Sequence, residues 1–416
     1  MTVNLPEGFD FTDPALYAER LPYAEWAEVR KKEPVYWNAK APGVDDGFQD
    51  DGYWVISKLD DIKDVSRRTG TDFSASENSA VPRYAPGTDR AIITDMLGNL
   101  ILNQDGEGHT TRRRIVSKGF TPRNVALLRE KLQERANTIV DEALAQGEGD
   151  FITYVASELP LQTIAEMIGV PQEERHQLFQ WSNLMTSYDV PELAEESTAA
   201  AMELLAYSYT MAEDRTKNPQ DDLVTKLVEA DVDGEKLTPE EFGWFVALLA
   251  VAGNETTRNA TTHGMRAFLD NPDQWELFKK ERPETAYAEI LRWASPVTSF
   301  QRTAAKDTTI RGVEIKKGQR VVMFYGSANF DEEHFEDPFT FNILRENNPH
   351  VTFGGQGPHY CLGANLARLQ IELIFNAIAD KLPDISSLGE AVRVRSGWHN
   401  GVTSWPTKFD GCPVAH

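Results

Sequence analysis

The chain has 416 residues, 41% of them hydrophobic, and a formal net charge of −23 from 42 Lys and Arg against 65 Asp and Glu. Such an acidic balance argues against nucleic acid or an anionic membrane surface as partner, because both select clustered Lys and Arg. Two widely separated cysteines exclude a disulfide framework, and no run of about 18 uncharged apolar residues is present to span a bilayer or anchor the chain in one.

Length alone predicts two or three domains, yet no Pro/Gly/Ser-rich linker, low-complexity tract or repeat divides the sequence. One unit over residues 1–416 is expected, with a mixed α/β part over about 1–105 and a helical bulk over about 106–416. The start, Met1-Thr2-Val3-Asn4-Leu5-Pro6, lacks a basic segment followed by an apolar run, so no secretory signal and a cytoplasmic location are expected.

In chain order, the first hundred residues mix short helices with strand-like pieces such as Tyr53-Trp54-Val55-Ile56. Residues 77–104 read as a loop-rich yet apolar stretch of the kind that covers a pocket. From Gly106 to about Lys280 the periodicity is helical, broken by turn signals at Thr121-Pro122, Gly147-Glu148-Gly149-Asp150 and Asn218-Pro219. Within it, Thr238-Pro239-Glu240-Glu241 is a capping box with Pro at the first helical position, and it opens a helix running toward Phe268. About thirty residues at ~1.5 Å each cross a whole domain, and the apolar segment 245–252 requires burial. Residues 309–315, the turn Lys316-Lys317-Gly318 and residues 320–324 read as a hairpin. A last helix is expected over 364–382. The class is mainly α with small β-sheets.

Four groups of residues carry chemistry. Ala252-Gly253-Asn254-Glu255-Thr256-Thr257 interrupts the apolar helix: Ala252 and Thr256 share a face, and Gly253 leaves room for a small molecule or a helix bulge. Burying Glu255 and Thr256 costs a few kcal/mol without partners, so either a function or a kinked, solvated face is implied. His109 and Arg113 share a helix face that holds a carboxylate or simply meets solvent, and Arg302 is a third isolated cation. Glu289 and Arg292, three apart, read alone as a surface bridge. Cys361 ends the glycine-rich run Phe353-Gly354-Gly355-Gln356-Gly357-Pro358-His359-Tyr360 before Leu362-Gly363 and a helical segment. N–H groups from Gly363 onward favour an anionic sulfur able to hold a metal; the other reading is a buried cysteine acting as a small hydrophobe. Cys412 lies in a polar tail and is expected to be inert.

In order and spacing, His-x-x-x-Arg, Ala-Gly-x-Glu-Thr, Glu-x-x-Arg and the Cys loop resemble the cytochrome P-450 superfamily of haem-thiolate monooxygenases, over nearly the whole chain. The resemblance implies the P-450 fold, with the long central helix over haem b and dioxygen as co-substrate. It makes Cys361 the iron ligand, with Phe353, Gly354, Gly363, Ala252 and Gly253 at the cofactor. His109, Arg113, Arg302 and His359 match the residues that hold the haem propionates. Glu255 and Thr256 match the pair that relays protons to dioxygen, and Glu289, Arg292 and Arg345 a structural salt bridge. In the usual pattern a Phe lies seven residues before the Cys; here that position is Gly354 and Phe353 precedes it. Either the loop holds an extra residue or Gly354 replaces the Phe.

Apolar segments 81–84, 92–102, 179–185 and 297–300 correspond to substrate-contacting regions and imply an elongated apolar substrate. Val251 through Asn259, Phe300-Gln301-Arg302-Thr303-Ala304, Asn329-Phe330-Asp331-Glu332-Glu333 and Arg395-Ser396-Gly397-Trp398 are similar to the actinobacterial steroid 26/27-monooxygenases. That likeness implies oxidation of the terminal side-chain methyl of cholesterol or cholest-4-en-3-one, successively to alcohol, aldehyde and acid. The alternatives are a terminal hydroxylase of branched fatty acids or isoprenoids, a peroxide-driven peroxygenase, and a haem-thiolate ligand-binding protein that does not oxygenate. The last has no need of the Glu255–Thr256 pair. With no flavin segment and no iron–sulfur cysteine set, a separate ferredoxin and an NAD(P)H-dependent ferredoxin reductase are implied. Arg112, Arg114, Lys118 and Arg123 form either a ferredoxin-steering basic patch or a solvated helix face.

Overall fold

Local signals build the central helix. The computed structural model describes residues 2–89, 94, 97–185, 191–220, 223–229 and 236–411. In it Thr238 caps helix Pro239–Asp270: its hydroxyl accepts the Glu241 N–H at 3.2 Å, and Glu241 Oε2 accepts the Thr238 N–H at 2.9 Å. The helix stays α-helical for 32 residues, through the polar interruption at 252–257. Helices Glu158–Ile168, Arg175–Met185, Ala194–Lys217, Thr285–Ala294 and Ala364–Lys381 pack around it. Near its end Phe268, fully buried, meets the rings of Trp275, Phe278, Phe341 and Phe375 at centroid distances of 5.0, 5.2, 5.3 and 5.7 Å. Each fully buried ring of this kind contributes about 1.5–3 kcal/mol by leaving water.

The N-terminal part joins a five-stranded sheet in the order Val35–Ala39, Gly52–Ile56, Arg320–Phe324, Ser299–Ala304, Phe73–Ser74. Only the Gly52–Ile56 to Arg320–Phe324 pairing is parallel. The expected hairpin is therefore corrected. Thr308–Ile310 pairs with Val313–Ile315 through a turn whose Arg311 and Gly312 have φ of 48° and 80°, while Arg320–Phe324 joins the larger sheet. The short turn at Arg311-Gly312 joins the nearer pair of strands, and Arg320–Phe324 pairs instead with Gly52–Ile56 and Ser299–Ala304.

The turn signals at Thr121 and Gly147 appear as a helix cap and a helix end, Gly147 at φ 80°. The sequence reading missed two elements here: strand Glu148–Asp150, which pairs with Pro406–Lys408, and a π-helical turn over Ile152–Ala156. Cys412 and positions 92, 93, 95 and 96 of the 92–102 segment lie outside the described residues. Among the described residues, no helix is long and apolar enough to cross a membrane.

Candidate active site

The cysteine loop is shaped by what it presses against. Gly357, at φ 104°, passes so close to helix Leu59–Arg67 that a Cβ there would lie 2.4 Å from the Ser66 carbonyl oxygen. Gly354 sits at φ 97°, a backbone that a side chain resists, and turns the chain directly after Phe353. The Cys361 N–H donates to the Phe353 carbonyl at 2.9 Å, and the Phe353 ring lies under the Arg368 guanidinium at 4.5 Å. Helix Ala364–Lys381 follows, with Gly363 at its cap.

Cys361 is exposed, but toward an internal cavity of about 300 Å³ that it lines, so its thiol is both accessible and deep within the fold. Burial pushes the thiol up; the Gly363 N–H and the guanidinium groups of Arg113 and Arg368 pull against that rise.

Ala252, Gly253, Glu255 and Thr256 of the central helix line the same cavity. Of the two uses expected of Gly253, no bulge is present; it lines the cavity, and a Cβ there would stand 2.4 Å from Cδ1 of Ile164, another lining residue. Thr256 Oγ1 donates to the Ala252 carbonyl at 2.8 Å. Glu255 is buried, and burial pushes its carboxyl up against the pull of Arg258 and Asn259. Arg258 pairs with its Oε2 at 2.5 Å and reaches Asn183 Oδ1 at 2.8 Å, while Oε1 has no hydrogen-bond partner.

His109, Arg113, Arg302 and His359 also line the cavity. The two imidazoles stack at 4.2 Å, and burial, then His359 and Arg113, push His109 down to about 4. Arg302 donates to Thr69 Oγ1 at 3.2 Å and to its neighbour's carbonyl, and Arg113 donates to the Tyr360 carbonyl. The sequence reading missed Asp105. Its carboxylate lies 3.9 Å from His359 Nε2 and accepts from the Ser74 hydroxyl at 2.6 Å and the Ala75 and Ser76 N–H groups. Burial pushes Asp105 up, but His359 and then these donors outweigh it and hold the carboxyl well below its ordinary range.

Glu289, Arg292 and Arg345 come together away from the cavity. Arg292 makes two 2.8 Å bonds to Glu289, both fully buried, and Arg345 Nε lies 3.2 Å from Glu289 Oε2. Arg292 also donates to the Asn329 carbonyl, and Asn329 accepts the Val351 N–H and donates to Thr352, so the cluster anchors the approach to the cysteine loop. Arg112 departs from the expected basic patch. It turns to the capping box and donates to Glu241 at 2.6 Å, leaving Arg114, Lys118 and Arg123 exposed. Trp398 and His399, stacked at 3.9 Å, also line the cavity; nothing in their loop sequence signals such a position.

Comparison with known proteins agrees with this geometry. A cytochrome P450 family model matches residues 284–380. The steroid C26-monooxygenase of Rhodococcus jostii (strain RHA1) is 62% identical over 99% of this chain and 88% of its own length. The chain belongs to the cytochrome P450 family. A methyl-branched lipid omega-hydroxylase of Mycobacterium tuberculosis (strain ATCC 25618 / H37Rv) is 38% identical over 92% of this P450 and 90% of its own chain. Among solved structures, a Mycobacterium marinum cytochrome P450 in complex with pseudoionone superposes with a TM-score of 0.88 at 34% identity, covering 98% of this P450 and all of that chain. As a cytochrome P450 the protein takes haem b, with dioxygen as co-substrate. The residues present fit that group. A thiol faces the cavity beside the guanidinium groups of Arg113 and Arg302, and the buried His359 Nε2, 3.9 Å from Asp105, has no hydrogen-bond partner, which leaves a donor position for an incoming carboxylate.

Proposed function

We propose that the protein is a monooxygenase that hydroxylates the terminal side-chain methyl of a sterol, cholesterol or cholest-4-en-3-one, and carries the product on to aldehyde and acid. The observation that carries this reading is the 62% identity, along 99% of the chain, to a steroid C26-monooxygenase. The cavity supports it: Phe120, Ile164, Phe245, Val297, Phe300 and Trp398 give it apolar walls suited to a hydrocarbon chain end.

Haem b, held by Cys361, supplies the oxidising chemistry that puts one atom of dioxygen into a C–H bond. This chain's residues do the rest. Cys361 binds through its sulfur, with the Gly363 N–H favouring the thiolate. His109, Arg113, Arg302 and His359 receive the two propionates. Apolar walls exclude water and orient the methyl. Glu255, whose carboxyl burial raises against the pull of Arg258, exchanges a proton at the cavity, and the Thr256 hydroxyl, bonded to the Ala252 carbonyl, lines the same cavity from the next position of the helix. Electrons come from a ferredoxin and an NAD(P)H-dependent reductase, steered by Arg114, Lys118 and Arg123.

Optical titration of the ferric protein with cholest-4-en-3-one tests the reading. A saturable low-spin to high-spin Soret shift, with a terminal alcohol as first product, is expected. No shift with the sterol but a shift with a methyl-branched fatty acid would transfer the assignment to the second reading, which the 38% identity to a methyl-branched lipid omega-hydroxylase supports.

A further inference from the structure

The cavity wall near Ala80 is held in a conformation that its own residues disfavour. Asn78 and Ser79 are consecutive, buried and left-handed, at φ of 73° and 67°. Asn tolerates that region, but Ser does not favour it, so the turn must be held from outside. Ala80 and Phe300 both line the cavity.

We infer that Gln301 is a positioning residue that sets this substrate-facing wall from behind. It lies on strand Ser299–Ala304 between the cavity residues Phe300 and Arg302, is fully buried, and alternation turns its side chain to the other side. Its Nε2 donates to the carbonyls of both strained residues, Asn78 at 3.1 Å and Ser79 at 3.2 Å, while its backbone N–H donates to the Ala80 carbonyl at 2.8 Å. Its Oε1 accepts from Arg320 Nη1 at 3.2 Å, and the same nitrogen donates to the Pro82 carbonyl. Arg320 is itself fixed by Asp46 at 2.9 Å and Asp50 at 2.5 Å. From the opposite side Asn103 Oδ1 accepts the Ala80 N–H at 2.8 Å. One amide thus satisfies two consecutive left-handed carbonyls and fixes its own orientation on an immobilised guanidinium.

The clamp rests on the proposed function only in taking the cavity as the substrate site; its first test needs no substrate. Gln301→Glu keeps the acceptor for Arg320 and removes both donors, and Gln301→Met removes all three bonds at similar volume. In ferric, substrate-free protein, hydrogen exchange at the Ala80 and Val81 amides is expected to rise at least tenfold in both variants, with the Ser299–Ala304 pairing to Arg320–Phe324 unchanged. Adding Ser79→Gly to Gln301→Met, which makes the turn easy without the clamp, is expected to return most of that protection. With cholest-4-en-3-one, the single variants are expected to weaken the spin-shift dissociation constant about tenfold and to spread hydroxylation over more than one carbon. Unchanged exchange at Ala80 overturns the clamp whatever the substrate. Raised exchange with unchanged affinity and a single product overturns its role in positioning substrate. A wild-type protein that ignores the sterol counts against the proposed substrate and leaves the exchange result to decide the clamp.

Discussion

Glu255 and Arg258 meet at 2.5 Å inside the central helix, each less than a tenth exposed, with Asn183 of helix Arg175–Met185 taking the other arm of the guanidinium. The pair fixes a carboxylate beside the cavity, and its charge balance depends on both members. Arg258→Met leaves Glu255 buried without its cation, which raises the carboxyl further. The loss of stability is expected to be about 3 kcal/mol at pH 8, the size found when one partner of a buried pair is removed. It is expected to be smaller at pH 5 than at pH 8, because protonation of the raised Glu255 carboxyl removes the unpaired charge. Urea unfolding at the two pH values checks this; a loss independent of pH would mean that Arg258 acts by packing on Phe179, 5.7 Å away, and not by charge.

The Thr256 hydroxyl is bonded to the Ala252 carbonyl of its own helix, so removing it disturbs little of the fold. Thr256→Ala is expected to change stability by less than about 0.5 kcal/mol. Product per NAD(P)H is expected to fall about tenfold, a low value for a lost proton-transfer group, with peroxide making up the difference. Equal product and no added peroxide would remove Thr256 from proton delivery.

Arg292 is held by two bonds to Glu289 and by the carbonyls of Asn329 and Pro338. Arg292→Ala is expected to cost about 3 kcal/mol, because Glu289 is left buried with Arg345 as its remaining cation. Haem content should fall with it, since Asn329 leads through Val351 and Thr352 to the cysteine loop. Arg292→Lys is expected to recover little, a single ammonium being unable to reproduce the planar fork. Parallel urea and haem-absorbance titrations check both variants.

Much of this was legible where the signal is local. The Thr238 capping box specifies a helix start within four residues, and the glycines around Cys361 specify a tight loop before a helix. What was not legible depends on partners far along the chain. Glu148–Asp150 is a strand only because Pro406–Lys408 lies beside it. Arg320–Phe324 looked like half of a hairpin because its true neighbours, Gly52–Ile56 and Ser299–Ala304, are set by the packed sheet. Asp105 looked like one more surface acid; four donors from residues 74–76 make it a half-buried anion beside His359. Arg112 looked like its basic neighbours until Glu241 took it.

His263 offers a pH test remote from the cysteine loop. It is buried, its Nε2 lies 3.0 Å from the Asn400 carbonyl, and burial, then Arg393 and Arg266, push it down to about 3. An unfolded chain leaves the same imidazole near its ordinary ~6.5. Between those values the unfolded state binds the proton and the folded state does not, so folding stability is full above about 6.5 and falls as the pH drops toward 3. At pH 5 the loss from this one group is about 2 kcal/mol. His263→Gln keeps a donor for the Asn400 carbonyl and removes the titration. Its stability relative to the parent is therefore expected to improve by about that amount between pH 7.5 and pH 5. Urea midpoints at the two pH values read the difference directly; identical acid slopes in parent and variant would mean that His263 is already protonated in the folded protein.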